Sequence, residues 1–192
     1  MIKELAKQCR SYRGYDPSRK ITEAELKELV DITRYVASSI NMQPLKYRIV
    51  WKEDEVAEVL ANTKWAAGLP ELHLPYEGTG PAAFIIICHD YRVHENKNVF
   101  LRDIGAAAQT MLLAATEQGL GGCMIGNFNP KKMQEILGIP EEIEPNLVVA
   151  FGKPDEEITI VDCEPGEKTA YYRDETGKKH FVPKRKLEDI LI

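Results

Sequence analysis

The chain has 192 residues, of which 44% are hydrophobic and 29% charged, with a formal net charge of −5 at pH 7. This composition is typical of a globular domain, and it excludes wholesale disorder and a broadly basic nucleic-acid-binding surface. The longest apolar run, AAFIIIC at 82–88, is too short to cross a bilayer, and MIKELAKQCRSYRGYD lacks the apolar centre of a secretory signal. We therefore expect a cytoplasmic protein, with one domain over residues 1–192, that binds neither membranes nor nucleic acid.

Hydrophobic periodicity and cap residues predict alternating helices and strands. The strand at 82–90 is apolar almost throughout, so we expect it to be buried on both faces. The helix at 104–116 is almost free of charge, so we expect it at the centre of the molecule or of an oligomer interface. In chain order, the predicted elements are a short helix in IKELAKQC, a helix beginning at a Thr22–Glu25 capping box, a strand at 47–51, a helix at 53–63, the strand at 82–90, the helix at 104–116, a short strand in GLGGCMIGNF, a helix between Asn129 and Gly138, and a strand at 146–154.

Two segments fall outside this pattern. Residues 66–81 are rich in Gly and Pro and form a longer connection than compact domains usually contain, so we expect a lid or a loop that contacts a partner chain. Residues 155–192 are strongly charged and have too little apolar content to fold alone. We expect this segment to be a C-terminal arm that wraps around a partner subunit.

The cysteines, histidines and glycines exclude several kinds of site. The four cysteines contain no CxxC pair and the four histidines no HxxxH pair, so we expect no metal site. GLGGCMIG matches neither GxGxxG nor GxxxxGKS, and the chain contains no GxSxG motif. We therefore expect no Rossmann site, no P-loop and no serine-hydrolase triad, and we expect Cys88 and Cys123 to be small buried hydrophobes.

Two basic clusters are candidate anion sites. Arg10, Ser11 and Arg13 place two guanidinium groups and a hydroxyl group within four residues, a combination that suits phosphate oxygens. The alternative is a solvated turn whose arginines pair with surface carboxylates. A second cluster at 183–186 has the same two interpretations, because charged runs usually face water.

Two further segments also have both a functional and an ordinary interpretation. The stretch ASSINMQPLKY at 37–47 contains more polar side chains than a helix end requires, which suggests contact with something outside the chain. The glycines of 119–127 either cap a helix or allow the backbone to approach a flat ligand.

Taken together, these stretches resemble the FMN-dependent nitroreductase family over essentially the whole chain. The resemblance is carried in order by RSYRGYD, SSINMQPLKY, the pattern D-x-G-A-A-A-Q-x-x-L-L-A-A from Asp103, GLGGCMIGNF, LGIP, VVAFGKP and VPKRKLEDIL. It implies an α+β fold in which helices flank a central, mainly antiparallel sheet. It also implies an intertwined homodimer with FMN held between the subunits and NAD(P)H as co-substrate.

The resemblance assigns roles to particular positions but implies no catalytic side chain, because the flavin N5 accepts and donates the hydride. A backbone N–H near Gly126 is expected to bond to N5. Cys9, Ala37 and Leu45 depart from the residues common in the family, namely a second arginine, a proline and a tryptophan. The implied cofactor-binding residues are Arg10, Ser11, Tyr12 and Arg13 in the first turn, Ser38, Ser39, Asn41 and Gln43 from the second subunit, Met124, Ile125 and Gly126 against the ring, and Lys184 and Arg185 at the phosphate.

The resemblance therefore implies a homodimeric FMN oxidoreductase. Hydride would pass from NAD(P)H to the flavin and then to a nitroaromatic, a quinone or a similar flat acceptor. Two alternatives remain open, a flavin-carrying or nucleotide-binding module without turnover and a reductase that supplies free reduced flavin.

Overall fold

The computed structural model describes residues 1–177 and 179–192 of the chain. Its strands belong to two separate sheets, and the predicted α+β class is confirmed. The helices are α1 (Ile2–Gln8), α2 (Glu23–Asp31), α3 (Glu53–Ala61), α4 (Leu101–Glu117) and α5 (Pro130–Leu137), and the strands are β1 (Leu45–Val50), β2 (Ala83–Asp90), β3 (Gly121–Ile125), β4 (Ile143–Gly152), β5 (Glu157–Cys163), β6 (Tyr172–Arg173) and β7 (Lys179–Arg185). Short 3-10 turns occupy Ile32–Tyr35, Ser39–Asn41, Pro70–Leu72, Lys97–Phe100 and Leu187–Asp189.

The central sheet has the strand order β1-β2-β4-β3, and every neighbouring pair is antiparallel. All eight residues of β2 are buried, as predicted. Side chains alternate across a strand, so Ile85 and Ile87 pack into a core with residues of α2 and α4, whereas Phe84 and Ile86 pack into a second core with residues of α3 and α5. Helices on both faces therefore explain why this antiparallel strand has no polar side.

The helix ends follow the predicted cap chemistry. Glu25 N donates to Thr22 Oγ1 over 3.3 Å, and Thr22 N donates to Glu25 Oε2 over 2.8 Å, which completes the capping box. Asn129 Oδ1 accepts a hydrogen bond from Lys132 N, and Gly138 ends α5 in the left-handed region with φ of 60°. The predicted elements are thus confirmed, although α4 and β4 each begin three residues earlier than predicted.

One face of α4 is buried in the chain and the opposite face is open. Its buried side chains include Ala108 and Met111, which explains its apolar composition. Leu101, Gly105 and Ala106 are exposed on the opposite face. The central position of this helix is confirmed within one chain, and its place in an oligomer interface stays a prediction.

The second sheet contains strands that the sequence analysis did not predict. β7 lies between β5, to which it is parallel, and β6, to which it is antiparallel. The buried side chains of this sheet include Cys163 of β5 and His180 of β7. Two contacts connect this part of the chain to the N-terminal turn at residues 10–13. Arg13 packs on the Tyr171 ring, and Glu156 links the Arg173 guanidinium to the backbone N–H of Arg13. The expectation that residues 155–192 wrap around a partner stays a prediction.

The cysteines are free thiols, and all four are buried. Burial raises the pKa of the Cys88 thiol to about 12 and also raises the pKa of the Cys123 thiol. Cys88 and Cys123 therefore behave as the small core residues that we predicted. Within the described residues, none of the helices combines the length and apolar character needed to span a membrane.

We predict that Gly122→Ala destabilises the fold. An added Cβ would overlap the carbonyl oxygen of Ala150 on the neighbouring strand and would lie 2.6 Å from Leu112 Cδ2. Since a backbone atom cannot move aside cheaply, the free energy of unfolding should fall by about 3 kcal/mol, measured by urea unfolding of the apoprotein. Gly126→Ala is the matched control, because among the described residues no atom outside its own chain neighbours lies within 4 Å of the added Cβ. Equal stabilities of the two variants would contradict the prediction.

Candidate functional site

The N-terminal turn is attached to the edge of the central sheet at β3. Ser11 forms a parallel bridge with Gly122, and Tyr12 N donates to the Gly122 carbonyl oxygen over 3.0 Å. A Cβ on Gly121 would overlap the Tyr12 ring. At Gly121 and Gly122 the missing side chains allow the chain to pack against itself, whereas Gly119, with φ of 74° just after α4, fits the helix-cap interpretation. The same contacts place Arg10 and Arg13 beside β3.

The strand β7 brings a second set of residues to the same place. His180, Val182 and Lys184 alternate along the strand, so their side chains lie on one face, and all three line a cleft. Arg185 lies on the opposite face, is exposed and does not line this cleft. The structure therefore separates the two cations that the family resemblance places together at the phosphate.

The cleft has a volume of about 360 Å³, which falls within the range of small-molecule sites. Arg10, Arg13 and Lys184 supply its positive charge, and among the described residues none of the three forms an ion pair with a carboxylate. The solvated-turn interpretation of the first basic cluster required such pairs. The lining residues are Cys9, Arg10, Ser11, Arg13, Gln109, Leu112, Met124, Tyr171, His180, Val182 and Lys184.

The side chains of the first turn have distinct environments. Arg10 Nη2 donates to the Ala6 carbonyl oxygen over 2.7 Å, and Arg13 Nη1 donates to the Ser11 carbonyl oxygen over 3.1 Å. The Nε atoms of both arginines are buried without a hydrogen-bond partner in the described structure. The Tyr12 hydroxyl group donates a hydrogen bond to the carbonyl oxygen of Gln8, and burial raises the pKa of this phenol. The Tyr12 side chain therefore packs within the turn, and its implied contact with the flavin stays a prediction.

A second cavity of about 180 Å³ adjoins the cleft and shares Arg13, Met124 and Tyr171 with it. Ile125, Gly126 and Asn127 line it from the end of β3, and Trp65 lines it from the loop before residue 68. Gly126 is exposed, and open space surrounds the position of its missing Cβ. The backbone at Gly126 is thus open to a ligand, in contrast to Gly121 and Gly122.

Several residues of this region were missed by the sequence analysis. Glu156 accepts hydrogen bonds from Arg13 N and from the Arg173 guanidinium. In the Glu156–Arg173 ion pair, the Glu156 side chain is 2% exposed and the Arg173 side chain 4%. The Arg13 guanidinium lies 4.8 Å from the centre of the Tyr171 ring. The tract YYR could have indicated that part of the charged arm packs against the chain, because aromatic side chains usually need a packing surface. The missed residues are Gln109, Glu156, Tyr171, Arg173 and His180.

The remaining predicted site residues lie around a different cavity. Ser38 Oγ and Ser39 Oγ donate to the two carboxylate oxygens of Asp103 over 2.6 and 3.0 Å, and Ser39 N donates to the same group. Asp103 lies in the first turn of α4 and is buried. The two serines therefore fix the loop to α4. Ser38 and Gln43 line a cavity of about 150 Å³ that shares no residue with the cationic cleft.

The backbone between these serines and β1 is strained. Ile40, Asn41 and Gln43 have φ values of 48°, 54° and 54°, in the left-handed region that side chains disfavour. All three side chains are exposed, although Gln43 Nε2 donates to Asn41 Oδ1 over 3.2 Å. An ordinary helix exit needs one such residue, so the loop presents polar groups outward at an energetic cost.

Comparisons with known proteins identify relatives of this chain. The model of the nitroreductase family matches residues 6–153. A Cr(VI) reductase of Pseudomonas sp. strain G-1 is 27% identical over 172 residues, covering 80% of this chain and 67% of that protein. The structure of NADPH:FMN oxidoreductase from Vibrio harveyi with NAD+ has a TM-score of 0.64 and 24% identity, covering 80% of this chain and 69% of that one. An FMN-dependent nitroreductase of Clostridium difficile R20291 has a TM-score of 0.65 and 22% identity, covering 92% and 94%.

We predict that Arg173→Met releases the second sheet from the N-terminal turn. The substitution leaves the buried Glu156 carboxylate without its cation, which should lower the free energy of unfolding by about 3 to 5 kcal/mol in urea denaturation. Lys186→Met is the control, because Lys186 pairs with Glu164 in the same arm but the two side chains are 32% and 57% exposed. Its cost should stay below about 1 kcal/mol. Similar losses in both variants would show that burial of the Arg173 pair is unimportant.

Proposed function

Because the chain belongs to the nitroreductase family, we propose that it is an FMN-dependent oxidoreductase that takes hydride from NAD(P)H and passes it to a nitroaromatic, a quinone or another flat acceptor. One observation carries the proposal. In a chain of net negative charge, three cationic side chains that form no ion pair among the described residues converge on one cleft, beside the exposed backbone that follows β3. FMN combines the two matching features, a phosphate group and a flat ring.

The residues of the two adjoining cavities suit the two ends of FMN. Arg10, Ser11 and Lys184 would hold the phosphate and ribityl chain, because guanidinium, hydroxyl and ammonium groups all donate to anionic oxygen. Met124, Ile125 and the exposed backbone of Gly126 would lie along the ring. No catalytic metal is needed for this assignment.

When bound, FMN supplies the hydride chemistry at its N5 atom. The contribution of the chain is then electrostatic and steric. The Arg13 guanidinium would favour the reduced, anionic flavin, since nearby positive charge stabilises it. Tyr171 packs on Arg13 and holds this cation in place, and no side-chain acid or base is required for hydride transfer.

We further propose that a second copy of the chain completes the site. Ser38 and Gln43 line a cavity separate from the cationic cleft, and Ser39 and Asn41 lie in the same loop, so within one chain the implied flavin-binding residues form two groups. A homodimer could join the cleft of one chain to the 38–43 loop of the other. The exposed face of α4, at Gly105 and Ala106, has the small side chains that permit close approach of a partner.

The absorption spectrum of the purified protein tests the proposed activity. We expect flavin bands near about 450 nm that disappear on anaerobic addition of NAD(P)H and return with a quinone. Flavin that binds but is not reduced would favour a carrier without turnover. Flavin that is reduced and then lost on gel filtration would favour a reductase that supplies free reduced flavin, and protein that binds no flavin would contradict the proposal.

We predict that mixing two defective variants restores flavin binding if the site spans two chains. Arg10→Ala and Asn41→Gly alter the two groups of residues, and Gly suits the positive φ of Asn41. After random exchange of subunits, half of the dimers carry both variants and each of these has one intact site, so about a quarter of the sites should bind FMN with normal affinity. Calorimetric titration of the mixture measures this fraction.

The control mixture combines Arg10→Ala with Lys184→Ala. These two residues line the same cleft of one chain, so no exchanged dimer contains an intact site and no affinity should return. Recovery in neither mixture would place Asn41 outside a shared flavin site.

A further inference from the structure

His180 is a buried histidine whose ring nitrogens are both unused. Its side chain is 2% exposed, and neither Nδ1 nor Nε2 has a hydrogen-bond partner among the described residues. Burying polar atoms without partners is costly, and such groups in native proteins usually meet a ligand, an ion or a water molecule. His180 also lines the cationic cleft, so the unpartnered nitrogens belong to a side chain that borders the space where a bound molecule would lie.

The groups around His180 keep its ring neutral. Burial, and after it the positive charges of Arg173 and Arg13, lower the pKa of His180 to about 4. Arg173 lies opposite His180 in the β6–β7 register, and Arg10 and Lys184 line the same cleft. Near neutral pH the imidazole therefore offers one N–H donor and one acceptor, whereas the cations around it offer only donors.

The position of His180 separates it from the phosphate-binding end of the cleft. His180 and Lys184 lie four residues apart on one face of β7, which corresponds to about 13 Å along the strand. The Tyr171 ring contacts His180 edge to face, with ring centres 5.3 Å apart. The Arg13 guanidinium packs over the same ring. His180 thus belongs to the Arg13 end of the cleft.

We propose that His180 binds the uncharged part of FMN, its ribityl hydroxyl groups or pyrimidine edge, through its ring nitrogens. This inference rests on the proposed function. These parts of the flavin carry both donors and acceptors, as a neutral imidazole requires, while the phosphate carries acceptors that the surrounding cations satisfy better. His180 is then a cofactor-binding residue that sets affinity for the flavin nucleus and its side chain.

The variant His180→Phe tests the role of the two nitrogens, because a phenyl ring preserves the edge-to-face contact with Tyr171. Dissociation constants for FMN and for riboflavin, measured by quenching of flavin fluorescence, should both rise by a similar factor of about ten. The comparison variant Lys184→Met should weaken FMN much more than riboflavin. A loss confined to FMN, or no loss for either flavin, would overturn the proposal.

The stability of the apoprotein provides an independent readout. Removing two unsatisfied nitrogens should leave the melting temperature of His180→Phe unchanged or raise it while flavin affinity falls. A lower melting temperature with unchanged flavin affinity would show that His180 is structural, and would overturn the proposal.

A measurement on the wild-type protein avoids any dependence on the folding of a variant. In ¹⁵N-histidine NMR, the His180 ring resonances should shift on addition of riboflavin and stay in place with inorganic phosphate. The reverse pattern would overturn the assignment. If wild-type protein bound neither flavin, the proposed function itself would fail; if it bound FMN with unchanged His180 resonances, only this inference would fail.

Discussion

The buried carboxylate of Glu156 joins the two ends of the molecule. It accepts a hydrogen bond from the backbone of Arg13 and pairs with Arg173 of the second sheet. A buried pair of this kind adds little net stability over an apolar contact, but it excludes arrangements in which either partner is left alone. The pair therefore mainly fixes the relative position of the two segments it connects. It holds the N-terminal turn and the C-terminal sheet together, and the cationic cleft lies between them.

The cleft depends on strand geometry as much as on charge. Alternation along β7 selects Lys184 for the cleft and turns Arg185 away from it. At the edge of the central sheet, Gly121 and Gly122 allow the first turn to pack closely, while Gly126 leaves its backbone free. Neighbouring residues of the same type thus have different roles, because each strand position faces a different environment.

Local features were predictable from sequence, and long-range ones were not. The capping box at Thr22 and the buried strand at 82–90 were predicted because cap chemistry and apolar runs are local signals. The β5–β7 sheet was missed because parallel pairing across a long connection leaves little trace in a charged segment. Ser38 and Ser39 are separated from Asp103 by 65 and 64 positions in the sequence, so their contact could not be read from local spacing. His180 is a single histidine that belongs to no recognisable motif. The proposed site therefore includes some residues from recognisable sequence stretches and others that only the fold brings close to them.

The burial of the cysteines also affects how the protein responds to oxidants and alkylating agents. Thiolates are the reactive species, and burial keeps the Cys88 and Cys123 thiols protonated. These residues belong to the central sheet, while Cys163 ends a strand of the second sheet. Modification of these three thiols therefore requires transient opening of the structure, and its rate at each of them reports how often the sheet that holds it opens. The chain thus carries built-in probes that compare the local stability of its two sheets.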